Sequence, residues 1–160
     1  MKKIFLCLLL FSGSCYAQEN HYPVIKSVAD SVDDFVPEGW ELILLNRGDL
    51  NNDGIEDAVL VIQSKDTLRE LLYDGNHKKW DRLEDTKPRL LVILFKDKTG
   101  YKLALQNNDF ILRMDEGGVW GDPENGLEIK NNILILSFYG GSMEKWNNIY
   151  KFRFQNDDWY

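Results

Sequence analysis

The chain has 160 residues, with 19 Lys and Arg against 26 Asp and Glu, a net charge of −7, and 44% hydrophobic residues. One domain's length and that apolar content exclude a chain disordered by composition. The acidic surplus argues against nucleic acid as a partner, because phosphate binding needs clustered Lys and Arg, and it disfavours anionic membrane surfaces.

Met1-Lys2-Lys3 is a basic start, Ile4 to Phe11 is apolar, and Ser12 to Ala17 is small and polar. This is the layout of a secretory signal peptide, with an apolar run too short to span a bilayer. Cleavage after Ala17 is the simplest reading. It leaves one domain over residues 18–160, in the periplasm or secreted, with no transmembrane segment. The rival is a lipoprotein anchored at Cys15, but Ser12 stands where lipoprotein signals usually carry Leu. Both cysteines, Cys7 and Cys15, precede the cleavage point. Cleavage therefore removes disulfides, thiolate metal sites and a Cys nucleophile together.

Val24, Ile25, Val28, Val32, Phe35 and Val36 recur at helical spacing before Pro37, which predicts a short amphipathic helix over about Ser27–Val36. Strand signals follow. Trp40–Leu45 and Ala58–Gln63 flank an Asp/Asn/Gly cluster. Leu90 to Phe95 is continuously apolar, as a strand buried on both faces should be. Asp97 to Gly100 reads as a hairpin turn into Tyr101–Gln106, and Asn107-Asn108-Asp109 as a turn into a strand at Phe110–Met114. Gly126–Lys130, Ile133–Tyr139 and Ile149–Phe154 complete the set, with Asn131-Asn132 joining the first two. A polar insert at about 64–88 separates the second and third strands, and Leu68, Leu71 and Leu72 suit one or two helical turns within it. The expected fold is mainly β: an antiparallel domain of about seven or eight strands with a short N-terminal helix. The chain stops on Trp159-Tyr160 as a strand begins, so either the last strand is very short or the natural product is longer.

The chemistry is concentrated in Gly48-Asp49-Leu50-Asn51-Asn52-Asp53-Gly54-Ile55-Glu56-Asp57. Oxygen side chains alternate at Asp49, Asn51 and Asp53, Gly54 permits a sharp turn, the Ile55 carbonyl can face inward, and Asp57 closes the ring. Calcium needs six to eight hard oxygens, and a tight loop with this spacing supplies most of them. Asp49, Asp53, Glu56 and Asp57 crowd four negative charges together with only Arg47 nearby, which repel one another without a cation. The plainer reading is a run of Asx-turns, since the same residue types build turns. An EF-hand is excluded, because Leu60 stands at the twelfth position and strands flank the loop.

The pattern D-x-N-x-D-G-x-x-D between strands, followed by Ala58-Val59-Leu60-Val61-Ile62, resembles the FG-GAP or VCBS-type calcium repeat of integrin α-subunit propellers and of many secreted bacterial proteins. The resemblance covers about 25 residues, Trp40 to Ile62, and implies Asp49, Asn51, Asp53, Ile55 (through its carbonyl) and Asp57 as calcium ligands. One copy is present, and at about 40–45 residues per blade the chain is too short for a complete propeller. Phe35 to Trp40, Gly121-Asp122-Pro123, Tyr139 to Ser142 and Tyr150 to Tyr160 also resemble pieces of a group of small secreted bacterial proteins with one such loop; that group brings no established activity.

Catalytic signals are sparse. His21 and His77 sit in polar surroundings, and Asp115 with Glu116 has no spacing that separates it from surface charge. Trp120, on the Gly-rich segment Glu116 to Pro123, and Trp146 are the candidate binding residues, because aromatics are enriched in binding hot spots. The expectation is a non-catalytic exported protein with one structural calcium. The alternatives are a periplasmic inhibitor or immunity-type protein that binds a basic protein partner, and, third, an enzyme acting on envelope polymers.

Overall fold

The computed structural model describes residues 22–73 and 79–160. The expected leader, Cys15 and both histidines lie outside the described residues. The described chain is mainly β, in two larger antiparallel sheets and one separate hairpin. The strands are β1 (Val28–Ala29), β2 (Trp40–Gly48), β3 (Asp57–Ser64), β4 (Leu68–Tyr73), β5 (Lys79–Thr86), β6 (Arg89–Asp97), β7 (Gly100–Asn107), β8 (Glu124–Lys130), β9 (Ile133–Gly141), β10 (Lys145–Gln155) and β11 (Asp158–Trp159). The first sheet runs β1-β7-β6-β3-β2, the second β11-β10-β9-β8, and β4 pairs with β5 alone. Neither larger sheet closes into a barrel.

The first sheet is the middle layer. Ala58, Leu60 and Ile62 of β3, with Leu90, Val92 and Leu94 of β6, face a core capped by Ile25, Val32, Phe35 and Trp40. The alternate residues Val59, Val61, Leu91 and Ile93 face Leu134, Leu136 and Phe138 of the second sheet. Strand side chains alternate between faces, so a strand covered on both sides must be apolar at every position. This is why Leu90–Phe95 is an unbroken apolar run. Each such side chain contributes about 1.5–3 kcal/mol when removed from water.

The expected N-terminal helix is corrected. Val28 and Ala29 instead pair with Lys102 and Tyr101 of β7, and only Val32–Phe35 forms a 3₁₀ turn. Asp34 Oδ2 accepts from the Ser31 amide and hydroxyl, which fixes that turn's start. Val32 and Phe35 are buried, a spacing of three that suits either helix type, whereas Val28 is 60% exposed. A β-branched valine gains more on the sheet edge than in an isolated short helix.

Two further expectations change. The insert holds the β4–β5 hairpin rather than helical turns, with Leu68 opposite Thr86 and Leu71 opposite Leu83. The register partners lie 6 to 18 residues along the chain, outside the three- and four-residue spacing that suggests a helix. Phe110–Met114 is not a strand: Asn107 Oδ1 accepts from the Asp109 and Phe110 amides, and Ile111 turns into the inter-sheet core. The Asn131-Asn132 junction is as expected, with φ of 53° and 59°, the left-handed pair that a two-residue hairpin demands.

Candidate metal site

The loop between β2 and β3 is closed at its base by the register pair Gly48 and Asp57. Leu50 is fully buried in the inter-sheet core and anchors the loop, while its polar neighbours stay at the rim. Asp49 Oδ1 accepts from the amides of Asn52 (2.7 Å) and Asp53 (3.2 Å), and its Oδ2 from Gly54 (2.9 Å). Asn51 Oδ1 accepts from the Asp53 amide at 3.0 Å, and Asp53 Oδ1 from the Ile55 amide at 2.8 Å. Gly54 has φ of 83°, a conformation that costs glycine little. Asn132, in the β8–β9 turn, donates its side-chain amide to the Asp49 carbonyl at 2.7 Å and ties the loop to the second sheet.

Asp49, Asn51 and Asp53 are therefore together, and the Asn51 amide lies 3.1 Å from Asp53 Oδ2. Ile55 follows directly, its amide held by Asp53. Asp57 sits apart at the base and is fully buried. Its Oδ2 accepts from Leu50 (2.9 Å) and Asn51 (3.4 Å), and its Oδ1 from the Lys96 amide of β6 (2.9 Å). Burial pushes its carboxyl above the usual carboxylate range, the three amides pull the other way, and the Asp53 charge adds to the rise. Among the described residues, no three acidic, His or Cys side chains converge into a metal-holding group.

The charge balance at the rim is uncompensated. Arg47, the nearest cation in sequence, donates to the Tyr101 hydroxyl at 2.6 Å and lies 6.0 Å from that ring's centre. No Lys or Arg among the described residues pairs with Asp49, Asp53 or Glu56; the ion pairs Arg89–Asp122 and Lys102–Asp97 lie elsewhere. Hard oxygens from two carboxylates and an amide, without an internal counter-charge, fit a calcium donor set better than a soft-metal one.

A second polar cluster was not foreseen in the sequence. Arg89, at the start of β6 and 3% exposed, donates Nε to Gln63 Oε1 at 2.8 Å and Nη1 to the Leu112 carbonyl at 3.2 Å. It grips Asp122 with both terminal nitrogens, at 2.7 and 2.5 Å. The guanidinium holds the Asp122 carboxyl below its usual range, against an opposing effect of burial. An open cleft of about 400 Å³ lies beside the pair, lined also by Ile43, Leu44 and Met114. Because the arginine's donors are engaged within the chain, the cluster works as a clasp that holds residues 112–122 to the first sheet. Its sequence signal was a lone Arg beside an otherwise apolar strand, together with Gly121-Asp122-Pro123.

The Gly-rich segment has a packing reason. The Gly141 amide donates to the Gly117 carbonyl at 3.0 Å, and the Val119 amide to the Gly141 carbonyl at 3.1 Å. A Cβ on Gly118 would stand 2.6 Å from the Gly141 carbonyl oxygen, so the two Gly-rich stretches meet backbone to backbone. Trp120 is thereby placed against Tyr139 (5.8 Å between ring centres), stays 50% exposed, and carries the Lys145 ammonium 4.7 Å from its ring centre. Trp146 is different: it is half-buried over Gly140 and packs into the inter-sheet core. Asp115 accepts from the Thr86 hydroxyl at the end of β5 and Glu116 from the Arg113 amide, so the first carboxylate is tied to a distant element and the second into its own turn.

No protein-family model matches the chain. No curated protein and no solved structure matches it either. Among the described residues, no helix is long and apolar enough to cross a membrane.

Proposed function

We propose that this is an exported, non-catalytic protein whose 49–57 loop takes one structural calcium ion. The observation that carries the reading is the loop rim: Asp49 Oδ1 and Asn51 Oδ1 both accept from the Asp53 amide, the Asn51 side-chain nitrogen donates to Asp53 Oδ2, and Arg47 is turned away to Tyr101. A bound divalent cation supplies the positive charge that the chain withholds there. Asp49, Asn51, Asp53 and the Ile55 carbonyl are the residues that hold it, with Asp57 at the base as the further ligand implied by the repeat pattern. The metal's role is to brace a β2–β3 connection that already pins Leu50 into the core. The leader-like start supports export.

Isothermal titration of residues 18–160 with calcium chloride tests this directly. One site with a dissociation constant of about 10⁻⁴ to 10⁻³ M is expected, as in extracellular calcium modules. Magnesium should bind far more weakly, because it keeps its waters and demands a compact octahedron. Absence of calcium heat reduces the loop to a turn.

A further inference from the structure

The 49–57 loop lies on the seam between the two larger sheets. β2 ends the first sheet and β8 the second, and the two meet through side chains. Asn46 donates its side-chain amide to the Leu127 carbonyl at 3.1 Å. Gly48 lies so close to Ile129 that a Cβ on it would stand 2.6 Å from the Ile129 Cγ2. One residue further on, the Asp49 carbonyl accepts from the Asn132 side chain at 2.7 Å. The loop's first carboxylate thus leaves the first sheet with its backbone held from the second.

The turn by itself asks for a different residue at 132. Asn132 is the second residue of the two-residue turn between Lys130 and Ile133, with φ of 59° after Asn131 at 53°. A turn with two positive φ values favours Asn-Gly, because glycine enters the left-handed region without the crowding that a Cβ brings. Glycine at 132 would serve the turn better than asparagine does. What the asparagine adds is the bond to Asp49.

That bond fixes more than a carbonyl. The Asp49 carbonyl and carboxylate branch from one Cα, so holding the first restricts where the second points. The carboxylate accepts from the Asn52, Asp53 and Gly54 amides, and Asp53 brings a second carboxylate to the same rim. Two such charges repel one another without a cation, which favours an opened rim. A site that must be drawn together before it binds loses affinity in proportion to the fraction of time it is assembled. An anchor outside the rim, on a paired hairpin, keeps that fraction high.

We propose that Asn132 is the positioning residue of the calcium loop: from the second sheet it holds Asp49 in place for the ion, and so sets the loop's calcium affinity. This role rests on the calcium reading above. Asn132 is not itself a ligand and acts through Asp49. Calcium affinity becomes a property of both sheets, and by linkage a bound ion tightens the loop's hold on the β8–β9 turn to the same degree.

Calorimetric calcium titration and thermal unfolding of residues 18–160, as wild type, Asn132→Gly and Asn131→Gly, test this. Asn132→Gly eases the turn and deletes the bond. These effects oppose one another, so in chelator it should melt within about two degrees of the wild type. Its calcium dissociation constant should rise about three- to tenfold, the range of one hydrogen bond's net worth. Asn131→Gly makes the same kind of change to the turn but keeps the bond, and should bind calcium as the wild type does. A role in turn stability alone would move the chelator melting curve and leave the dissociation constant unchanged. Wild-type affinity in Asn132→Gly overturns the positioning role and leaves the calcium reading standing. Equal weakening in both glycine variants also overturns it, since the stiffness of the turn rather than the bond then sets the affinity. Absence of calcium heat in the wild type overturns the calcium reading and the positioning role together.

Discussion

The β2–β3 loop and the connection from β7 to β8 solve the same problem in opposite ways. Both are polar excursions that must be held against an apolar sandwich. The β7–β8 connection carries its own counter-charge: Asp122 meets Arg89, and Arg89 also takes Gln63 and the Leu112 carbonyl. The β2–β3 loop satisfies its carboxylates with backbone amides, six of them on Asp49 and Asp57, and leaves the net charge unanswered. Hydrogen bonds satisfy lone pairs, but they do not remove the repulsion among neighbouring anions. One connection carries its own counter-charge; for the other, we propose that a bound cation supplies it.

The largest effect should come from the complete region. Arg89→Met removes a 97%-buried guanidinium's bonds and leaves the Gln63 oxygen and the Leu112 carbonyl without their donor. Asp122 itself is 45% exposed and regains water, which limits the loss. A destabilisation of about 2–4 kcal/mol is expected, read as a fall in melting temperature of roughly 10 °C.

Asp57→Asn is the matching change at the loop's base. An amide puts a donor where the carboxylate accepted from Lys96 or from Leu50 and Asn51, so one buried amide loses its acceptor. Chemical denaturation in chelator should show a loss of about 1–3 kcal/mol.

A third experiment separates charge pairing from burial. Arg89 lowers the folded Asp122 pKa below its ordinary value of 3.8. The ion pair's contribution is therefore fully present above about pH 4 and is lost as pH falls through the lowered folded value. Asp122→Asn should be less stable than the wild type by about 1 kcal/mol from pH 5 to 7, a modest figure because the carboxylate is partly solvated. The gap should close as the solution is acidified below pH 4. A gap that stays constant down to pH 2 contradicts the ion-pair account.

The contrast also explains what could be read from the sequence. Leu90–Phe95 announced burial on both faces because an apolar run needs no partner to be recognised, and Asn131-Asn132 announced its turn because positive φ is a local demand. The D-x-N-x-D-G spacing is equally local. The Val28–Phe35 periodicity misled because three-residue spacing serves a 3₁₀ turn as well as an α-helix, while the deciding contact, β1 on β7, lies more than 70 residues away. Arg89 and Asp122 are 33 residues apart and on different elements, and nothing in their surroundings in sequence links them. The Gly117–Gly141 contact has the same character: it joins two Gly-rich stretches on different elements, and neither marks the other in sequence.

The central claim concerns the rim, and thermal unfolding with and without calcium tests it most directly. At about 1 mM calcium and dissociation constants of about 10⁻⁴ to 10⁻³ M, binding stabilises the fold by roughly 0.4–1.4 kcal/mol. That corresponds to a rise in melting temperature of a few degrees, reversed by chelator. Asp53→Ala, which removes an exposed rim carboxylate bonded to Asn51 and Ile55, should melt within about a degree or two of the wild type in chelator and gain nothing from calcium. Identical wild-type melting curves in calcium and in chelator would contradict the account.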